Sequence, residues 1–165
     1  MKQLNFDEIL DEKVERKLKN ISKKPSKKNS TKIYTDAGFA WKSNVGNKTK
    51  NGRVAWKIGR GKFHIKIVEI PEIKGLIQYG NLYELIAIMI AIEKTQAKNV
   101  LIITDSKVAM GWVKRRHNNL GQFSEEHYNT KERIEKAKKK FDNFNIEWTA
   151  RDNNIVGVWL EKKFK

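Results

Sequence analysis

The sequence predicts an α/β protein: a mixed five-stranded sheet, three antiparallel strands and then parallel ones, flanked by helices and preceded by a helical extension. Three observations lead there. Residues 31–70 break into short strand-like segments separated by Gly/Asn-rich turns, the pattern of an antiparallel meander. Residues 100–103 (Val-Leu-Ile-Ile) form a short, wholly apolar run of the kind found in central parallel strands. Helical patterns surround that run, and the order β-β-β-α-β-α-α-β-α describes a single sheet with helices packed on it.

The extension comes first. Phe6, Leu10, Val14, Leu18 and Ile21 recur at spacings of four and three, so residues 5–21 read as an amphipathic helix. Asn5 and Glu8 have the spacing of a capping pair at its start. Residues 22–30 are basic and contain Ser and Pro, as a linker does. Residues 1–30 are therefore expected to be an extension and residues 31–165 the main domain. The apolar stripe would dock on that domain or on a protein partner. In the domain, residues 32–40, 53–58 and 62–70 read as strands. Residues 82–93 are nearly all apolar after their start, which suits a helix buried on more than one side. Residues 106–116 and 124–141 read as helices, 145–149 as the last strand and 154–163 as a last short helix. Residues 131–140 are expected to offer a solvated helix face. No internal repeat is present.

Composition narrows the function. The 165 residues hold 35 Lys and Arg against 19 Asp and Glu, a net charge of +16 with a pI near 9.9. Such a balance favours a polyanionic partner, nucleic acid before an anionic membrane surface. The absence of cysteine excludes disulfides and thiolate metal sites. No signal-peptide core or membrane-length apolar run is apparent, so a cytoplasmic, monomeric protein is expected.

Three carboxylates lie inside or at the ends of apolar runs. Asp36 sits in Ile33-Tyr34-Thr35-Asp36-Ala37-Gly38, Glu84 in Asn81-Leu82-Tyr83-Glu84-Leu85-Ile86-Ala87, and Asp105 in Leu101-Ile102-Ile103-Thr104-Asp105-Ser106. Taken singly, each has a bland reading. Asp36 opens a turn, Glu84 completes a capping box with Asn81, and Asp105 caps a helix. Taken together they read otherwise, because burying unpaired carboxylates is costly and a shared divalent cation offsets that cost. Asp105 would stand at the carboxyl end of a central strand, where open α/β sheets place their sites. Three hard oxygen donors without His or Cys companions suit Mg²⁺ or Mn²⁺. Paired ions of this kind act on phosphodiesters, and the basic surface would recruit the phosphate backbone.

These residues resemble the type 1 ribonuclease H family. Tyr34-Thr35-Asp36-Ala37-Gly38 is similar to the family's first strand and leading Asp. The run from Asn81 through Glu84 to Glu93 resembles its helix with the catalytic Glu, and Thr104-Asp105-Ser106-Lys107 its Thr-Asp-Ser motif. Trp148-Thr149-Ala150-Arg151-Asp152-Asn153-Asn154 resembles the segment before its final helix. The resemblance spans about residues 31–162 and implies a ribonuclease H-like fold. It implies endonucleolytic cleavage of the RNA strand of RNA–DNA hybrids, with Asp36, Glu84 and Asp105 holding two Mg²⁺ ions. By it, Asn81 would contact substrate near the minor groove and Ser106 would support the site. One part of the pattern is missing. The family's fourth carboxylate, four residues after an Asn like Asn154, falls on Val158, which cannot ligate a metal. Asp152 and Glu161 are the nearest substitutes, and activity that is reduced or favours Mn²⁺ is expected. A binding module with lost chemistry and a resolvase-like nuclease are the alternatives.

Trp112 followed by Lys114, Arg115, Arg116 and His117 joins an aromatic ring to a basic cluster. That combination can grip a nucleic-acid backbone, or else Trp112 is core and the cluster merely solvated. The remaining tryptophans, Trp41, Trp56, Trp148 and Trp159, read as packing residues. His64, His117 and His127 share no ligand spacing.

Overall fold

The computed structural model describes residues 29–39, 49–71, 79–114 and 125–164. The amphipathic stripe and linker expected over residues 5–28 lie outside them. The strands are β1 (Thr31–Phe39), β2 (Thr49–Ile58), β3 (Phe63–Pro71), β4 (Asn99–Thr104) and β5 (Asn143–Trp148). The helices are α1 (Tyr79–Lys94), α2 (Lys107–Lys114), α3 (Glu125–Lys138) and α4 (Ile155–Lys163). A single 3₁₀ turn, Arg151–Asn153, precedes α4.

The strands form one sheet in the order β3-β2-β1-β4-β5. β1, β2 and β3 pair antiparallel, while β4 pairs parallel to both β1 and β5. This is the five-stranded mixed sheet expected. β4 lies between β1 and β5, and Val100, Leu101, Ile102 and Ile103 are all buried, as an apolar central strand requires. Gly59, with φ of +54°, opens the turn from β2 to β3, a conformation that favours glycine.

α1 packs between β1 and β2 on one side and α3 on the other. Leu82, Tyr83 and every residue from Leu85 to Ile92 are therefore buried, which explains the continuous apolar run. The opposite face of the sheet takes α4. There Val156 and Leu160 meet Ala55, with Tyr34, Phe63, Ile65 and Trp159 around them.

Three local expectations change. α1 begins at Tyr79, so Asn81 and Glu84 lie inside the helix and form no capping box. Asp105 is not the cap of α2. Ser106 is, its Oγ accepting the Ala109 N–H at 3.1 Å. Nor is α3 a solvated face throughout. Lys131 is 4% exposed and donates to the Trp112 carbonyl, and Lys138 donates to the Val113 carbonyl. The two lysines meet main-chain carbonyls toward the C-terminal end of α2 as described, a favoured place for a cation. His127, also on α3, is buried edge-on against Trp112, and burial pushes its pKa down to about 4.

Candidate functional site

The register of β1 and β4 brings two of the carboxylates to one level. Tyr34 pairs with Ile103, so Asp36 and Asp105, each two residues further along, are neighbours across strands about 4.8 Å apart. Glu84 projects from the second turn of α1, which crosses β1 and β2. Each of the three offers an oxygen within 4.8 Å of the others.

Their electrostatics follow from that crowding. Asp36 is only 7% exposed. Its pKa is pushed up to about 6, first by burial and then by the Asp105 charge. Glu84 is held well above the usual carboxylate range by burial and by the charges of Asp36 and Asp105. Burial also raises Asp105, against the pull of the Arg151 guanidinium and a hydrogen bond with the Asn154 side chain. Among the described residues Glu84 Oε2 is buried with no hydrogen-bond partner. An orphan oxygen among three mutually repelling carboxylates is a site short of positive charge.

α4 closes the other side. The Asn154 Nδ2 donates to the Thr35 carbonyl at 2.9 Å, tying the start of the helix to β1. Gly157 comes so near that a Cβ there would lie 3.2 Å from Asp36 Oδ2. Val158, where the resemblance expects a fourth carboxylate, follows it and offers only methyl groups. Among the described residues the acidic cluster includes neither Asp152 nor Glu161, both of which are exposed.

The other residues singled out in the sequence divide. Asn81 lies one turn before Glu84 on α1 and is half-buried. Ser106 adjoins Asp105 but uses its hydroxyl as the α2 cap. Lys114 is exposed at the end of α2, while Arg115 and Arg116 lie outside the described residues. Trp112 is a correction: at 4% exposure it is core, packed against His127, and presents no face to a nucleotide. Trp148, expected to pack, is instead 44% exposed, and its Nε1–H donates to the Asp105 carbonyl at 3.0 Å. Arg151 was also missed. Its only signal was its place in the Trp148–Asn154 motif, three residues before an Asn that anchors the last helix.

The fold and site define a class: an α/β protein of the ribonuclease H-like fold with an acidic cluster beside the end of a central parallel strand. The chain belongs to the RNase H family, whose model matches residues 27–150. That match ends just before the 3₁₀ turn that precedes α4. The fold is similar to that of RNase H1 from the halophilic archaeon Halobacterium salinarum. The two share 16% identity with a TM-score of 0.54, over 76% of this chain and 89% of that one. It is also similar to the N-terminal RNase H domain of a Mycobacterium tuberculosis protein solved as a fusion with maltose-binding protein. There identity is 12% and the TM-score 0.57, over 76% of this chain and 85% of that one. No curated protein sequence matches the chain.

Proposed function

We propose that the protein is a metal-dependent endonuclease that hydrolyses the RNA strand of RNA–DNA hybrids, with Asp36, Glu84 and Asp105 as its catalytic residues. The observation that supports it most is the meeting of these three carboxylates, one with an orphan buried oxygen, in a chain of the RNase H family. The donors fit a hard divalent cation, since all are oxygens and among the described residues no nitrogen or sulfur donor joins the cluster. Asp36, Glu84 and Asp105 would hold Mg²⁺ or Mn²⁺, which when bound supplies an acidified water and neutralises charge on the phosphate undergoing attack. The protein's own groups do the rest. Asp36 and Asp105, fixed by neighbouring strands, set where the scissile phosphate stands. Glu84 brings a third charge from a helix locked in the core. The Arg151 guanidinium, which draws down the pKa of both aspartates, offers positive charge at the rim. Asn81 and Ser106 flank the centre as candidate contacts to the RNA 2′-hydroxyls that distinguish RNA from DNA. The net charge of +16 draws the backbone in.

A second reading has an observation of its own. Neither Gly157 nor Val158 supplies a carboxylate, so a nucleic-acid-binding module with weakened chemistry also fits. Incubation with labelled RNA–DNA hybrid, duplex RNA and duplex DNA, in Mg²⁺ and in Mn²⁺, separates the two. Cleavage of the hybrid RNA strand that disappears in Asp36→Asn and Glu84→Gln is the expected result. Tight binding without cleavage in either metal would leave only the binding module.

A further inference from the structure

Trp148 is held in an unusual way. It ends β5 opposite Thr104, so its ring lies beside the residue that precedes Asp105. The bond from Nε1 to the Asp105 carbonyl fixes the ring, yet the residue remains 44% exposed, whereas Trp56 and Trp112 are 4% exposed. A large apolar ring left in water forgoes the stabilisation that burial would give it. The ammonium of Lys107 stands 4.5 Å from the ring centroid. Lys107 is the first residue of α2 and follows Asp105 by two residues. An exposed ring and an ammonium therefore meet on the two segments that flank Asp105. A rigid flat face with an adjoining ammonium complements one chemistry in particular, a sugar ring and the phosphate next to it.

We propose that Trp148 and Lys107 form a contact for the nucleic-acid strand being cut. The indole packs on a sugar adjoining the scissile phosphate, and the ammonium pairs with a neighbouring phosphate. The choice of strand rests on the hybrid-nuclease reading above.

The test is equilibrium binding of a short fluorescein-labelled RNA–DNA hybrid to the full chain in chelator, where no cleavage intervenes. Trp148→Ala is expected to weaken binding about tenfold, within the range for loss of an aromatic platform. Trp148→Phe keeps a flat face but loses the N–H bond to Asp105, and it is expected to retain most of the affinity. Lys107→Ala should lower the salt dependence of binding by about one unit of log–log slope. Melting curves for Trp148→Phe and Lys107→Ala are expected to match the wild type. If Trp148→Phe binds as weakly as Trp148→Ala, the ring serves to hold the Asp105 loop and the contact is overturned. If the wild type cleaves hybrid while Trp148→Ala binds it unchanged, the contact alone is overturned and the enzyme reading stands. A wild type that neither binds nor cleaves hybrid overturns both.

Discussion

Asp36 shows how a single side chain ties function to stability. In the unfolded chain its carboxyl ionises near 3.8, and in the folded protein near 6. Between about pH 4 and 6 the folded state keeps a proton that the unfolded state has lost, so raising the pH favours unfolding. Asp36→Asn removes the effect. In chelator the variant should match the wild type near pH 4 and gain on the order of 2 kcal/mol by pH 7. Denaturant titrations at the two pH values read this directly; parallel curves for both proteins would show that the buried charge is not destabilising. The same cost made the three carboxylates legible in the sequence, because Asp and Glu within apolar runs demand a reason. The tryptophans were not legible in this way. In one dimension Trp112 lies two residues before Lys114 and Trp148 three before Arg151, so the two look alike. Only the packing of α2 on α3 puts the first in the core, and only its place at the end of β5 leaves the second exposed.

At the scale of elements, the site depends on how α1 sits on the sheet. A Cβ on Gly52 of β2 would meet the ring carbons of Tyr83 at 2.3 to 2.5 Å, so the ring rests on the bare strand backbone. Gly52→Ala should cost about 3 kcal/mol, since neither the strand nor the fully buried Tyr83 can yield cheaply. Gly38→Ala, with nothing within 4 Å of the added methyl, is the control and should melt like the wild type. Glu84 follows Tyr83, so the Gly52 variant is also expected to lose activity beyond its loss of folded protein. α4 gives the complementary case. Val158→Asp should raise the Mg²⁺-dependent cleavage rate at least about tenfold, the scale on which supporting ligands alter metal sites. Gly157→Asp should lower it, because its Cβ would already crowd Asp36 and its charge would repel that carboxylate. Equal rates in Val158→Asp and the wild type would place the missing ligand elsewhere. The identity and order of the elements were legible from periodicity, since strands and helices bury different sequence patterns. The start of α1 was not, because Asn81 and Glu84 have capping-box spacing, and spacing alone does not reveal a helix that begins earlier. The buried lysines of α3 were also hidden, as their partners are carbonyls of another helix.

For the molecule as a whole, charge governs association more than fold does. A net charge of +16 implies that binding to hybrid is driven largely by counterion release. Neutralising ~4 phosphates would cost about a hundredfold in affinity between ~50 and ~200 mM salt, and a titration of affinity against salt checks it. Affinity that stays level over that range would mean the basic residues do not face the nucleic acid. The family match covers residues 27–150, which include all five strands of the sheet. No helix among the described residues is long and apolar enough to cross a membrane. The bond between the Trp148 indole and the Asp105 carbonyl has a consequence of another kind. Indole emission responds to the polarity and hydrogen bonding around the ring, and this ring is coupled through one bond to the backbone of a residue at the acidic centre. Among the tryptophans of the described residues, Trp56 and Trp112 are shielded in the core and Trp159 stacks on Phe63, which leaves Trp148 as the one placed to act as an intrinsic optical reporter of events at Asp105.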